Sequence, residues 1–324
     1  MKPFSHLLPE TLMTAVQQQG FQPTGVFYPL NSYENRVYEI QLEEHDPIVA
    51  KFYRPGRWSA EAIGEEHRFT HALVEAEIPV VEPLSLSSSL KGFGSLAKID
   101  DILYAFYPKF RGRQHSDLSL EELEWLGRSL GRLHNVGEAF KAKHRLQLSL
   151  ETYGYGNVEF ILTQPFLPKD LVDHLKSSLY QALKGVEAHF PKNLLSIPLH
   201  GDCHHGNILW GKEGPVLLDF DDMVIAPPVQ DIWMLFFGSK EEQREQQDAF
   251  FKGYELFRDF DFSTLRLAEP LRTLRLIHHS AWIGRRYEEE IFQRAFPYYR
   301  EHRYWEEFLQ TMKEQISLLQ ELGY

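Results

Sequence analysis

The sequence predicts an α+β protein of two unequal lobes, a small strand-rich one followed by a larger helical one. Three observations carry this expectation. The chain has 324 residues, about twice what one hydrophobic core usually supports. Strand-period alternation is confined to a stretch from about residue 25 to 107, and helical spacing dominates after it. Between them Pro108, Gly112 and a cluster of Lys and Arg read as a connector. The expected division is a lobe at 1–106, a hinge at 107–113 and a helical lobe at 114–324.

The elements follow in order. Leu7 to Gln18 reads as a short amphipathic helix, with Pro9 in its first turn and Gly20 beyond its end. Val37 to Leu42 alternates with period two, and Ile48 to Tyr53 is a second strand. The turn signals Lys91-Gly92-Phe93-Gly94 and Asp100-Asp101 separate three more short strands, the last running from Ile102 to Tyr107. One helix, Ala60 to Glu75, interrupts them, with Ser59 as its capping residue. In the second lobe, Leu123, Leu126, Leu130 and Leu133 share one face of a helix over 118–133. Gly127 and Gly131 on that helix leave room for another element to approach closely. Further helices are expected at 169–188, 240–257, 267–288 and 302–322. Only one hairpin breaks this pattern: Asn207 to Trp210, a turn at Gly211 to Gly214, and Val216 to Asp219.

Composition narrows the function. At 43% hydrophobic and 25% charged, without repeats or low-complexity tracts, the chain is an ordinary globular protein. Lys and Arg total 34 against 46 Asp and Glu, a net charge of −12. That balance argues against nucleic-acid binding, which needs a basic face to neutralise phosphates. The single cysteine, Cys203, forms no intrachain disulfide and points to a reducing compartment. Met1 to His6 lacks the apolar run of a signal peptide, and no stretch is apolar for long enough to span a bilayer. The expectation is a cytoplasmic monomer.

The hairpin is where the sequence becomes specific. In Leu199-His200-Gly201-Asp202-Cys203-His204-His205-Gly206-Asn207, Asp202 stands five residues before Asn207. Asp219 follows twelve residues after Asn207, at the end of the return strand. Phosphoryl transfer needs such a set: a carboxylate to orient the nucleophile and accept its proton, and an Asn and an Asp to hold a divalent ion. Two carboxylates 4 Å apart repel by about 4 kcal/mol at an effective dielectric near 20. Asp202, Asp219, Asp221 and Asp222 in one pocket are therefore expected to shift their pKa values or to recruit a divalent cation, and oxygen ligands favour Mg²⁺.

These residues resemble the aminoglycoside phosphotransferase/choline kinase group, which has the protein kinase-like fold. The likeness rests on His-Gly-Asp-x-x-x-x-Asn followed by two apolar residues and Asp219, and it extends over nearly the whole chain. Ile48-Val49-Ala50-Lys51 is similar to the strand whose Lys binds the α- and β-phosphates of ATP, with Glu66 as its helix partner and Glu65 as the adjacent alternative. Tyr107-Pro108 falls at the hinge, and Leu130 to His134 matches the helix before the catalytic loop. The resemblance implies ATP-dependent phosphate transfer: Asp202 and Asp219 catalytic, Ser32, Lys51 and Glu66 at the nucleotide, and Asn207 and Asp219 on Mg²⁺. A closer likeness, in the runs Leu30 to Tyr38, Lys51 to Pro55 and Pro228 to Leu235, to bacterial Ser/Thr protein kinases of this fold implies Ser/Thr hydroxyls of proteins as acceptors. A small alcohol resembling homoserine, choline or an aminoglycoside is the alternative, and a non-catalytic nucleotide-binding adaptor a third reading. Two departures stand out. The loop expected over the phosphates, Asn31 to Arg36, contains no glycine, so its Ser32 hydroxyl and backbone N–H groups must serve. The metal-loop triplet reads Asp219-Phe220-Asp221, which opens for Asp221 either a place behind the metal's direct ligands or a second-metal role, and Asp219 to Pro228 is too short for a phosphorylated activation loop.

Other residues invite other readings. His200, Cys203, His204 and His205 form one cluster, whereas structural zinc sites draw ligand pairs from two places. His200 is expected to brace the loop through backbone hydrogen bonds, and His204 stands where a Lys often neutralises the transferred phosphate. His134 reads as a core histidine and Asp231 as an anchor for backbone N–H groups. Arg272, Arg275, Arg285 and Arg286 read as a solvated helix face before an anion site, and Phe296 to Trp305 as packing. Cys203 is either a buried filler or a thiol whose oxidation blocks the loop.

Overall fold

The computed structural model describes residues 3–191 and 194–322. In chain order its elements are α1 (Pro9–Gln18), β1 (Pro23–Pro29), β2 (Arg36–Leu42), β3 (Ile48–Phe52), α2 (Ala60–Glu75), β4 (Ala97–Ile99), β5 (Ile102–Pro108), α3 (Leu120–Ala139), α4 (Gly156–Leu162), α5 (Val172–His189), β6 (Ile197–Leu199), β7 (Ile208–Gly211), β8 (Gly214–Leu217), β9 (Val224–Ala226), α6 (Lys240–Tyr254), α7 (Ala268–Arg286), α8 (Glu290–Ala295) and α9 (His302–Glu321). The mixture is α+β, as expected. None of the described helices is long and apolar enough to cross a membrane.

The chain divides into two compact units. One comprises Met1–Arg145, Ile197–Met223 and Met234–Phe260; the other comprises Leu146–Ser196, Val224–Trp233 and Asp261–Tyr324. In the first, five antiparallel strands form a sheet in the order β1-β2-β3-β5-β4. The apolar stripe of α1, Leu12, Ala15 and Val16, is buried with Ile40, Ala50, Phe52, Tyr104 and Phe106 of the sheet. Period-two alternation on β3 then sends Val49 and Lys51 to the other side, where they line a cavity. Three strands after α2 were expected; there are two, β4 and β5. Pro79 and Pro83 lack the N–H a ladder needs, and the stretch between α2 and β4 makes only an isolated bridge from Val80 to Leu217. The fifth strand is β1.

Ser59 caps α2 by accepting the Ala62 N–H at 3.2 Å. Ser119 and Glu122 form a reciprocal capping box at the start of α3. The glycines of α3 do what their spacing predicts. A Cβ added at Gly127 would lie 2.1 Å from the Phe250 carbonyl oxygen, and one at Gly131 would lie 2.7 Å from that of Tyr254. Gly253 of α6 answers from the other side, where a Cβ would meet the Glu124 oxygen at 1.9 Å. His134 is fully buried at this crossing and bonds the Tyr254 hydroxyl at 2.8 Å.

The second unit is built on α5, α7 and α9, with Leu179, Leu183, Ile277, Trp305 and Met312 buried. A π-helical turn, Leu150–Tyr155, and α4 lie in a stretch where no helix was expected, and Gly154 of that turn packs against Leu183 and Leu274. Tyr299 and Trp305 are buried with ring centroids 5.2 Å apart, which makes the aromatic C-terminal stretch packing.

Candidate active site

A cavity of about 310 Å³ lies wholly within the first unit. Its apolar walls are Leu30, Val37, Val49, Val81, Leu209 and Leu218, with Tyr107, Pro108 and Phe110 along one side. Five of the six sequence-predicted site residues line it: Ser32, Lys51, Glu66, Asn207 and Asp219. The sixth, Asp202, sits beside Asn207, whose side-chain amide donates to the Asp202 carbonyl oxygen at 3.0 Å.

The loop carrying these residues is braced by neutral hydrogen bonds. Buried His200 donates from Nε2 to the Leu218 carbonyl at 2.7 Å, and its Nδ1 accepts the Asp202 N–H at 3.3 Å. One ring thus fixes the residue before Asp219 and the residue expected to act on the acceptor. His204 accepts the Gly206 N–H through Nδ1 at 2.9 Å, with its Nε2 3.4 Å from Asp202 Oδ2. Cys203 is buried in the same loop. Among the described residues no group of three or more His, Cys, Asp or Glu is arranged to hold a metal ion.

Two oxygens nevertheless suit a hard cation. Asn207 uses Nδ2 within the loop, and its amide oxygen takes no hydrogen bond among the described residues. The Asp219 side chain is 55% exposed and engages Lys51 through Oδ1 alone. Asp219 also holds a left-handed backbone, φ 58°, a conformation Asp tolerates better than most residues and one found where function demands it. One amide and one carboxylate are a fitting protein share for Mg²⁺, which keeps waters and phosphate oxygens as its other ligands.

Lys51 Nζ lies 2.7 Å from Asp219 Oδ1 and 3.5 Å from Asp221 Oδ1, above the Tyr53 ring. Burial works to strip its proton, and Asp219, Asp221 and Glu66 together outweigh burial, holding the ammonium well above its ordinary range. The expected Lys51–Glu66 ion pair is not formed. Glu66 lines the cavity, yet its carboxylate is bound by buried Arg145 at 2.7 Å. Burial pushes Glu66 up to about 7 against the pull of Lys51 and Arg145. Glu65, the alternative, faces away and accepts the backbone N–H groups of Lys143, His144 and Arg145 at 2.6 to 3.0 Å.

The four aspartates share one field but are held differently: burial first, then the charges of Asp221, Asp202 and Asp219, push Asp222 up to about 6 against the pull of Arg57. Asp221 is turned inward, its Oδ2 bound by Arg57 and by Asn35 Nδ2 at 3.2 Å, and Asp222 pairs with the same Arg57. Burial raises the Asp221 carboxyl, and Arg57, Lys51 and Arg145 more than reverse this, holding it well below the carboxylate range. At Asp221 the repulsion is thus outweighed by two arginines and a lysine, a solution invisible in the local motif.

Behind the cavity a hydrogen-bonded chain links Tyr107 Oη to Tyr53 Oη at 2.8 Å, Tyr53 to His67 Nε2 at 2.9 Å, and His67 Nδ1 to Ser95 Oγ at 2.8 Å. Burial, with Lys51 and Arg145 nearby, pushes His67 down to about 3, so it is neutral. Sequence reasoning missed Arg57, Arg145 and His67. Only Arg57 carried a local signal, the Pro-Gly turn before it. In the second unit Arg272 pairs with Glu269 at 3.3 Å, and Arg285 donates to Asn157 at 2.7 Å.

Residues 27–268 match the model of the phosphotransferase enzyme family. Stress response kinase A of Escherichia coli strain K12 is 37% identical over 318 residues, 98% of this chain and 95% of that protein. A relative in Salmonella typhimurium, equally similar, is named serine/threonine protein kinase RdoA. Among solved structures, an amicoumacin kinase in complex with AMP-PNP, Ca²⁺ and its antibiotic superposes with a TM-score of 0.72 at 19% identity, covering 93% of each chain. A microcompartment-associated aminopropanol kinase reaches 0.67 at 15% identity, covering 95% of this chain and 96% of its own.

Proposed function

Because the chain belongs to the phosphotransferase enzyme family, we propose that it is an ATP- and Mg²⁺-dependent kinase of protein Ser/Thr hydroxyls, acting in a stress response. The observation that carries the chemistry is the convergence of Lys51, Asn207 and Asp219 on one cavity with Asp202 beside them. The protein acceptor is supported by relatives named stress response kinase A and serine/threonine protein kinase at 37% identity over 98% of the chain. Residues 1–106 are the proposed nucleotide lobe, 107–113 the hinge and 114–324 the lobe bearing the acceptor machinery. We assign the chain to the cytoplasm, as a monomer, on its single cysteine and acidic balance.

Each residue then has a task. The apolar walls and the Tyr107–Phe110 stretch take the adenine, and Ser32 reaches the phosphates from the loop above. Lys51, an ammonium held charged by its carboxylate neighbours, binds phosphate oxygens. Asn207 and Asp219 hold Mg²⁺, which neutralises charge on the transferring phosphate. Asp202 orients the acceptor hydroxyl and takes its proton. Glu66 tunes the field at Lys51 from within the cavity wall.

Incubation with labelled ATP, Mg²⁺ and a general protein acceptor tests this. The wild type is expected to label Ser and Thr. Asp202→Asn should bind ATP unchanged and lose turnover by about a thousandfold or more, the weight of a general base acting with its positioning. Undiminished transfer by the variant overturns the site; transfer only to a small alcohol overturns the protein acceptor.

A further inference from the structure

The loop expected over the phosphates has no glycine, so something other than backbone freedom must set its height above the cavity. The structure shows what holds it. Arg54-Pro55-Gly56-Arg57 is a tight turn closed by the Arg57 N–H on the Arg54 carbonyl at 3.3 Å, with Gly56 at φ 79°. Pro at the second position and a positive-φ Gly at the third define a type II turn. It brings two guanidinium groups side by side from residues three apart.

Each grips a different partner. Arg54 Nε donates to the Glu34 carbonyl at 3.0 Å and lies 2.9 Å from its carboxylate, while the Arg54 backbone N–H donates to Asn35 Oδ1 at 3.1 Å. Glu34 and Asn35 belong to the phosphate loop, and both are buried. Arg57 forks onto Asp221 and Asp222, with its Nε 3.7 Å from Glu34. Asn35 closes the circuit by donating to Asp221 Oδ2 at 3.2 Å. The remaining oxygen of Asp221, Oδ1, is buried, makes no hydrogen bond and faces Lys51 Nζ at 3.5 Å. The phosphate loop, the phosphate-binding Lys and the segment beginning at Asp219 are therefore tied to one turn.

We propose that this turn is the clamp that fixes the glycine-free loop over the nucleotide phosphates, and that Arg57 is a positioning residue for phosphoryl transfer. Asp221 is the clamp's anchor, its Oδ2 bound by Arg57 and Asn35 and its Oδ1 turned to the Lys51 ammonium. Two planar bonds from one fork give a fixed orientation that a lysine cannot reproduce. The inference rests on reading the cavity as a nucleotide site, and it makes a demand beyond that reading: the clamp acts on the phosphates and leaves the adenosine half alone.

The test is displacement of TNP-ATP, followed by fluorescence, with ATP–Mg²⁺ and with adenosine as competitors. Arg57→Ala is expected to weaken ATP by about tenfold, the weight of a charged hydrogen-bonded contact, with adenosine within twofold of wild type. Arg57→Lys should not restore ATP affinity. Gly56→Ala alters the turn without touching a neighbour, since its Cβ meets nothing within 4 Å; it should lower the ATP-to-adenosine preference by about threefold. This second variant carries the test if Arg57→Ala shows no cooperative melt. A preference unchanged in the folded variants, or lost equally for adenosine, overturns the clamp. Failure of the wild type to bind TNP-ATP overturns the nucleotide reading itself.

Discussion

The loop from His200 to Asn207 and the network around Asp221 lie in the same unit and solve opposite problems. The first is held by uncharged groups: His200 bonds a carbonyl and an N–H, and Asn207 bonds the Asp202 carbonyl. The second is held by buried ions, with Arg57, Asn35 and Lys51 around one carboxylate. The difference lies in what is left available. Asp202 stays partly exposed and Asp219 more than half exposed, whereas the ionic network consumes the charge of buried Asp221 to fix geometry. Residues two apart in sequence, Asp219 and Asp221, are therefore not equivalent carboxylates.

Matched substitutions probe that contrast most sharply. Asp221→Asn removes the buried carboxylate that Arg57 and Lys51 share, leaving them Asp222, Glu34 and Asp219, and is expected to cost about 3 kcal/mol of stability. Asp202→Asn should cost about 1 kcal/mol or less, since its side chain is partly exposed. Urea unfolding of both variants decides it; equal losses would erase the distinction.

A packing substitution in the same unit supplies a scale. Gly127→Ala places a methyl 2.1 Å from the Phe250 carbonyl, and overpacking of this kind costs about 1–3 kcal/mol. Thermal unfolding should rank it below Asp221→Asn. A neutral effect would show that α3 and α6 separate freely at their crossing.

The effect that is smallest at neutral pH concerns buried neutrality. His67 has an ordinary pKa near 6.5 and is held down to about 3 in the folded chain. Above pH 6.5 neither state carries its proton. As pH falls towards 3, the unfolded chain takes up a proton that the folded chain refuses, so this group removes up to about 1.4 kcal/mol of stability per pH unit. His67→Gln should flatten the acid limb of stability against pH over that window. An acid limb as steep as the wild type's would show that other groups control it.

Much of this molecule is legible in the chain. The spacing of Asp202, Asn207 and Asp219 needs only a short loop and a two-residue hairpin to bring them together, and both are locally encoded. The caps at Ser59 and Ser119 and the paired glycines of α3 are local too. The strand expected before β4 was misplaced because prolines at 79 and 83 outweigh an apolar pattern. The partner of Glu66 was missed because Arg145 arrives from 79 residues away, and no pattern within α2 announces it.

By itself, then, the sequence determined which groups meet at the candidate site, because periodicity, caps and turn residues act over a few neighbours. Only the tertiary structure decided which carboxylate stays available. That choice depends on which cation is buried beside it, and Arg57 and Arg145 meet Asp221 across 164 and 76 residues of chain. Burial strengthens such pairings by lowering the dielectric around them, and burial is a property of the packed whole.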